Sequence, residues 1–192
     1  MDDSVFSGRL LPGERILWSG RPAQGLLFTG RDAYLIPFSL AWCGFAVFWE
    51  TAAGGGHAPG FFMLWGAMFI AVGLYFVAGR FLTDAWIRRG MAYAVTDRRA
   101  LIARPRPFGS LTAVSLDRLA DARLTEGSGG RGTIRFGPAT TIFPGQAGGV
   151  WSPALDPTPQ FLAIDDARSV FDLIQRSTTG RAAGRDGMGL AQ

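Results

Sequence analysis

From Ala33 to Gly79 the chain has no Asp, Glu, Arg or Lys except Glu50, which divides the run into two charge-free stretches, Ala33–Trp49 and Thr51–Gly79. Such a pattern fits either a pair of membrane-crossing helices or the buried core of a soluble helical protein. The hydrocarbon core of a bilayer is about 30 Å thick and takes roughly 20 apolar residues in a helix. The first stretch alone rises about 25 Å at 1.5 Å per residue, so it recruits Arg31 or Glu50 to an interface. The flanking charges favour the membrane. Arg21 and Arg31 precede the first stretch, Arg80, Arg88 and Arg89 follow the second, and the link between them holds no Arg. By the positive-inside rule both termini are expected in the cytoplasm.

Spans are expected at about 33–50 and 60–82. Asp32 is placed to cap the first, and Pro37 falls within its opening turns, where a missing N–H matters least. Tyr34, Trp42 and Trp49 lie along it, and Phe61, Phe62, Phe81 and Trp86 mark the ends of the second at headgroup level. The segment from Glu50 to Gly60 is a Gly-rich link that permits a tight hairpin. Gly66, Ala67, Ile70, Ala71, Gly73 and Ala78 on the second span, with Ala41, Gly44 and Ala46 on the first, would let the two backbones approach closely, although small residues are also common in membrane helices generally.

Outside the hairpin the composition is that of an ordinary small domain. The net charge of +4 is modest and all 19 basic residues are Arg, which suits phosphate contact but gives no concentrated stripe for a nucleic acid. A single Cys43 excludes an intrachain disulfide, and one Cys with one His cannot build a Cys/His zinc site. The acidic start, Met1-Asp2-Asp3-Ser4, is not a signal peptide.

After Gly90, a helix stop, short β-like runs begin. Met91 to Val95 and Ala100 to Ala103 flank a Thr96-Asp97-Arg98-Arg99 turn; Ser110 to Leu116, Leu119 to Thr125 and Thr133 to Phe136 follow. The Pro/Gly-rich stretch 137–160 holds a short strand candidate at 140–143. Phe161 to Ile164 reads as a strand and 165–176 as an amphipathic helix capped by Asp165 and Asp166. Ahead of the hairpin, Glu14 to Gly20 is one more strand, expected to pair with strands beyond residue 90, with Ile16 and Trp18 on one face. Many short strands closed by one helix suggest a small β-barrel or orthogonal sandwich.

Leu11-Pro12-Gly13-Glu14 through Trp18-Ser19-Gly20-Arg21-Pro22, then two spans, then Tyr93-Ala94-Val95-Thr96-Asp97-Arg98-Arg99-Ala100-Leu101-Ile102, and finally Phe161 with Asp165-Asp166-Ala167 form an ordered set. Over residues 10–177 this set resembles bacterial membrane proteins with a pleckstrin-homology-like domain. The resemblance implies an α+β membrane protein: a transmembrane helical hairpin plus a bent antiparallel sheet of about seven strands capped by a C-terminal helix. It divides the chain into an N-terminal segment (1–30) giving a first strand, the hairpin (31–89), the sheet domain (90–177) and a flexible tail (178–192). It implies a multi-pass protein of the inner membrane and transfers no active site.

Motifs that suggest chemistry have simpler explanations. Gly127-Ser128-Gly129-Gly130-Arg131-Gly132 matches G-x-G-x-x-G, but the strand-like Thr133 to Gly137 follows it instead of a helix, so it reads as a loop between strands. His57 lies in the hairpin link, away from the acidic residues of the sheet domain. Asp165 and Asp166 are neighbours that point about 100° apart on a helix. No cofactor or metal is expected. Arg88, Arg89, Arg98, Arg99, Arg104 and Arg106 form a candidate contact for anionic lipid headgroups. The expected function is a non-enzymatic interaction or assembly module at the bilayer, with the membrane and other membrane proteins as partners and no nucleic acid. The alternative is a membrane enzyme on lipid substrates using Asp84, Asp97, Arg88 and Arg89.

Overall fold

The computed structural model describes residues 5–55, 59–105, 107, 109–116, 122–127, 130–137 and 152–189. Two antiparallel sheets are seen. β1 (Ile16–Gly20), β2 (Ala92–Thr96), β3 (Arg99–Arg104) and β4 (Ser110–Ser115) form the first in that order, and β5 (Arg123–Glu126), β6 (Gly132–Arg135) and β7 (Gln160–Ile164) the second. Helices α1 (Asp32–Gly55) and α2 (Gly60–Leu74) are inserted between β1 and β2. A π-helical turn, Tyr75–Gly79, joins α2 to α3 (Arg80–Arg88), giving one unbroken helix from Gly60 to Arg88. α4 (Ala167–Gly189) follows β7 and packs on β5 and β6. The chain is therefore α+β, with a helical hairpin set into the sheet region.

Alternation along β2 explains how the first sheet is covered on both faces. Tyr93 and Val95, with Ala100 and Ile102 of β3, point into the main core against Phe161, Ile164, Val170 and Ile174. Ala92 and Ala94, with Leu101 and Ala103, point the other way and are covered by Phe6 from the N-terminal segment. Phe161 is the centre of the core: its ring stacks on Tyr93 at 4.8 Å and meets Phe136 edge-on at the same centroid distance. Burial pushes the Tyr93 hydroxyl up to about 12, and the Leu162 N–H donates to it at 3.2 Å. At the start of α4, a Cβ on Gly132 would lie 2.8 Å from the Ala167 Cβ, so only glycine lets β6 pass beneath the helix.

Several boundaries differ from the sequence expectation. The first helix does not end at Glu50 but runs on to Gly55, because Thr51-Ala52-Ala53 are tolerated in a helix and the turn needs only the residues before Gly60. α4 extends to Gly189, beyond the helix expected over 165–176 and into the segment read as a tail. Ile16 and Trp18 do not share a face. The register pairs Ile16 with Thr96 and Trp18 with Val95, so a β-bulge at Leu17 interrupts the alternation. Ile16 joins the outer cluster under Phe6 and Trp18 the main core. The strand candidate at 140–143 lies outside the described residues.

The two long helices, Asp32–Gly54 and Gly60–Arg88, are each long and apolar enough to cross a membrane, and only 17% and 11% of their most apolar windows are buried. A core helix of a soluble protein is covered by its neighbours; here most of the apolar surface is not.

β1 pairs with β2 as expected, and a buried carboxylate fastens the pairing. Glu14 accepts from Arg99 Nε and Nη2 at 2.9 Å, from the Leu11 N–H at 2.7 Å and from Thr96 Oγ1 at 2.8 Å. Arg15 and Asp97 exchange a further pair of bonds, Arg15 N–H to Asp97 Oδ1 at 3.0 Å and Asp97 N–H to the Arg15 carbonyl at 3.1 Å. Burial alone would raise the Glu14 carboxyl, but the bonds from Arg99, Leu11 and Thr96, with the Arg99 charge, hold it down at about 2 against an ordinary 4.5. A group depressed in the folded state stabilises above its unfolded value, and that stability is lost as pH falls through the folded one. Thermal unfolding of the purified protein in detergent is expected to show the Glu14 contribution in full above pH 4.5 and to lose it toward about pH 2. Glu14→Gln is expected to cost about 2 kcal/mol at neutral pH and to flatten that acid dependence.

Candidate functional site

The helix that emerges from the hairpin carries an i, i+4 pair, Asp84 and Arg88, into the sheet domain, where it meets two other chain segments. Arg88 is fully buried. Its Nε donates to Asp84 Oδ2 at 2.6 Å, its Nη2 to the Gly25 carbonyl at 2.6 Å, and its Nη1 to the Ala23 carbonyl. Asp84 Oδ1 accepts from Ser152 Oγ at 2.8 Å and from the Ala154 N–H at 2.9 Å. The chain leaving β1, the stem helix α3 and the segment before β7 are thus tied at one buried point. Every oxygen of Asp84 and every nitrogen of the Arg88 guanidinium has a partner. That completeness is what makes a buried ion pair tolerable.

A second pair closes the base of the hairpin. Arg80 Nη1 lies 2.7 Å from Asp32 Oδ1, and Asp32 Oδ2 in turn accepts from the Thr29 N–H and hydroxyl at 2.5 and 3.0 Å. Arg80 also lies over the Phe81 ring at 4.2 Å. The starting turn of α1 is thereby held to the top of α3.

At the other end the helices enclose a groove of about 430 Å³. Trp42, Phe45 and Trp49 of α1 and Phe62, Trp65 and Phe69 of α2 form its walls, and Ala46 and Gly66 its floor. On each helix the three aromatic residues fall at i, i+3 and i+7, one face of an α-helix. Trp42 meets Phe69 across the groove at 5.9 Å. Close approach of the backbones depends on two glycines. A Cβ at Gly73 would lie 3.0 Å from the Cys43 Cα, and one at Gly66 would collide with Glu50 at 1.6 Å from its Oε2. Glu50, one turn beyond Ala46, lays its carboxylate against Gly66 and is not itself a lining residue of the groove. Its Oε2 is buried with no hydrogen-bond partner among the described residues.

The arginines expected to form one headgroup surface are not gathered into one. Arg88 is sealed in its ion pair and cannot reach a headgroup, which corrects its assignment. Arg99 is bound to Glu14, and Arg104 donates to the Asp156 carbonyl at 3.3 Å. Arg89 and Arg98 are exposed. Arg104 lies toward the α3 end of the β2–β3 hairpin while Arg98 lies at its turn, about 20 Å away at 3.3 Å per residue. Arg106 lies outside the described residues. Asp84 and Asp97 are likewise held at opposite ends of β2. The described part of the Gly127–Gly132 stretch joins the antiparallel strands β5 and β6. His57 lies outside the described residues. Among the described residues no group of three or more His, Cys, Asp and Glu is placed to hold a metal ion.

Sequence reasoning missed the groove, although the matching aromatic spacing on the two helices carried the signal. It also missed Ser152, Ala23 and Gly25 as partners of the Asp84–Arg88 pair; these contacts join segments far apart in sequence. Comparison with protein-family models, curated protein sequences and solved structures returns no match.

Removing one partner of the buried pair is expected to be severe. Arg88→Met, which leaves Asp84 buried and uncompensated, is expected to cost about 3–5 kcal/mol. The double variant Asp84→Asn with Arg88→Met is expected to cost less than the sum of the single changes. Thermal unfolding in detergent over the four proteins of the cycle measures this coupling.

Proposed function

We propose that this chain is a two-span protein of a bacterial inner membrane whose cytoplasmic domain, pleckstrin-homology-like in form, is a non-enzymatic interaction or assembly module held close to the bilayer. The observation that carries this reading is the continuity of the helix Gly60–Arg88 with the sheet domain through the Asp84–Arg88 pair. At 1.5 Å per residue the helix is about 43 Å long, against a hydrocarbon core of about 30 Å. About two turns therefore project beyond the core as a stem, and this is where α3 carries Asp84 and Arg88 into the domain. A tethered enzyme that must reach varied substrates gains from a loose linker; a module that presents one surface at a fixed height gains from a stiff one.

A four-strand and a three-strand antiparallel sheet followed by a C-terminal helix support the pleckstrin-homology-like reading. The orientation rests on Arg21, Arg31, Arg80, Arg88 and Arg89 at one end of the hairpin. Arg89, exposed and next to the buried pair, is the arginine best placed to meet anionic headgroups, with other membrane proteins as the expected partners of the domain surface.

A reporter fused after Gly189 is expected to be active only in the cytoplasm, and one inserted at Gly55 only outside it; the reverse pattern would overturn the orientation. Neutralising Arg21, Arg31 and Arg89 weakens the bias without touching the ion pairs of Arg80 and Arg88. Crosslinking in native membranes followed by identification of captured proteins tests the interaction role, and robust turnover of phospholipid by the purified chain would sink it.

A further inference from the structure

We infer that the free edge of β4 is a docking site for an extended, uncharged peptide segment of another protein, which adds to the four-stranded sheet as a further strand. The inference rests on the interaction-module reading and names the surface through which the module acts.

The two sheets end in four outer strands, β1, β4, β5 and β7. Three of these are closed to strand addition by devices that proteins commonly use. β1 is bulged at Leu17. β5 has only four residues, carries Arg123 and Glu126 at its ends and lies against α4, whose Arg168 donates to Glu126 at 2.9 and 3.1 Å. β7 is buried along its whole length, and the Ala23 N–H donates to its Ala163 carbonyl at 2.8 Å. β4 has none of these devices. Its residues, Ser110-Leu111-Thr112-Ala113-Val114-Ser115, include no charge and no proline, pair with β3 in an unbroken register, and are all exposed except Val114.

The ladder defines which main-chain groups this edge offers. The Leu116 N–H donates to the Arg98 carbonyl at 3.3 Å, and in an antiparallel ladder bonded and non-bonded pairs alternate. Ser110, Thr112 and Val114 therefore bond to β3, while the N–H and C=O groups of Leu111, Ala113 and Ser115 point away from the sheet. Among the described residues none outside the sheet makes a main-chain hydrogen bond to these three. A row of donors and acceptors at strand spacing is matched by another extended backbone.

The side chains narrow the occupant further. An added strand sets one row of side chains beside Leu111 and Ala113 and the other beside Thr112 and Val114, of which Val114 packs at the margin of the main core. Val, Ile and Thr suit both rows. A charged segment finds no partner on β4. A second copy fits less well than a free segment. Ser110 pairs with Arg104, and the next residue, Pro105, lies 2.9 Å from where a Cβ on Gly90 would be, just beyond α3. The Ser110 end of β4 is thus the stem end, so an antiparallel copy sets its own stem at the far end of the joined strands. A free peptide has no anchor to place.

The test uses the full chain in phosphatidylcholine nanodiscs and a dye-labelled peptide, Lys-Val-Thr-Val-Thr-Val-Thr-Lys, followed by fluorescence anisotropy. Saturable binding near one peptide per chain is expected. The same peptide N-methylated at each Val and Thr, which cannot pair, is expected to bind at least about tenfold more weakly. Ala113→Pro removes an outward N–H that β3 does not use; it is expected to weaken binding at least about tenfold with little change in thermal unfolding, whereas Thr112→Pro removes a ladder bond and is expected to lower the melting temperature. Absence of saturable binding, equal binding of the methylated peptide, or unchanged affinity in a folded Ala113→Pro variant would overturn the proposal. So would equal loss of stability in the two proline variants, which would overturn the register. A dimer in sedimentation that Ala113→Pro dissociates would assign the edge to a second copy and also overturn it. Photo-crosslinking in native membranes scores the module reading separately. A partner captured from position 172 on α4 equally in wild type and Ala113→Pro removes only this edge, whereas capture of no partner from either position 172 or position 113 removes the module reading and the edge together.

Discussion

The buried contact between Asp84 and Arg88 is the constraint on which the arrangement of the whole molecule depends. A guanidinium with no access to water must direct its donors to fixed acceptors, and here they are Asp84 and the carbonyls of Ala23 and Gly25. Those carbonyls belong to the chain that leaves β1, so the first strand cannot shift without breaking them. Asp84 in turn fixes the segment at Ser152 and Ala154 ahead of β7. One helical turn thereby sets the positions of both sheets relative to the hairpin.

The turn Thr96-Asp97-Arg98-Arg99 was legible in the sequence because local chemistry decides it: the Thr96 hydroxyl accepts from the N–H groups of Arg98 and Arg99 at 3.1 and 2.9 Å. The pairing of Glu14 to Gly20 with later strands was legible from the need of its apolar residues for cover. The bulge at Leu17 was not, because strict alternation is the only signal a strand gives and a bulge breaks it without a marker in composition. The basic surface was misjudged for a different reason. Proximity in sequence to a membrane helix says where an arginine is, but not whether an acid from elsewhere in the chain has claimed it, as Glu14 claims Arg99 across 85 positions.

The aromatic residues of the hairpin show the same limit. Phe62 was read as an anchor at headgroup level, and Trp42 and Trp49 only as residues lying along the first span. Their placement around a common groove depends on the close approach of the helices at Gly66 and Gly73, which is a property of the pair and not of either helix.

The insertion of the hairpin between β1 and β2 has a consequence for the order in which the molecule forms. β1 is synthesised first but has nothing to pair with until the chain beyond residue 90 exists. Joining strands so far apart is slow for a flexible loop, since the closure entropy must be overcome before any contact rewards it. Here the intervening chain is a folded helical pair whose ends are brought together by Arg80 and Asp32, so the strands are delivered side by side once the helices have docked. Closure of the sheet thus reports that the hairpin has assembled, and a chain whose helices fail to pair leaves β1 as an unpaired edge open to quality-control proteases.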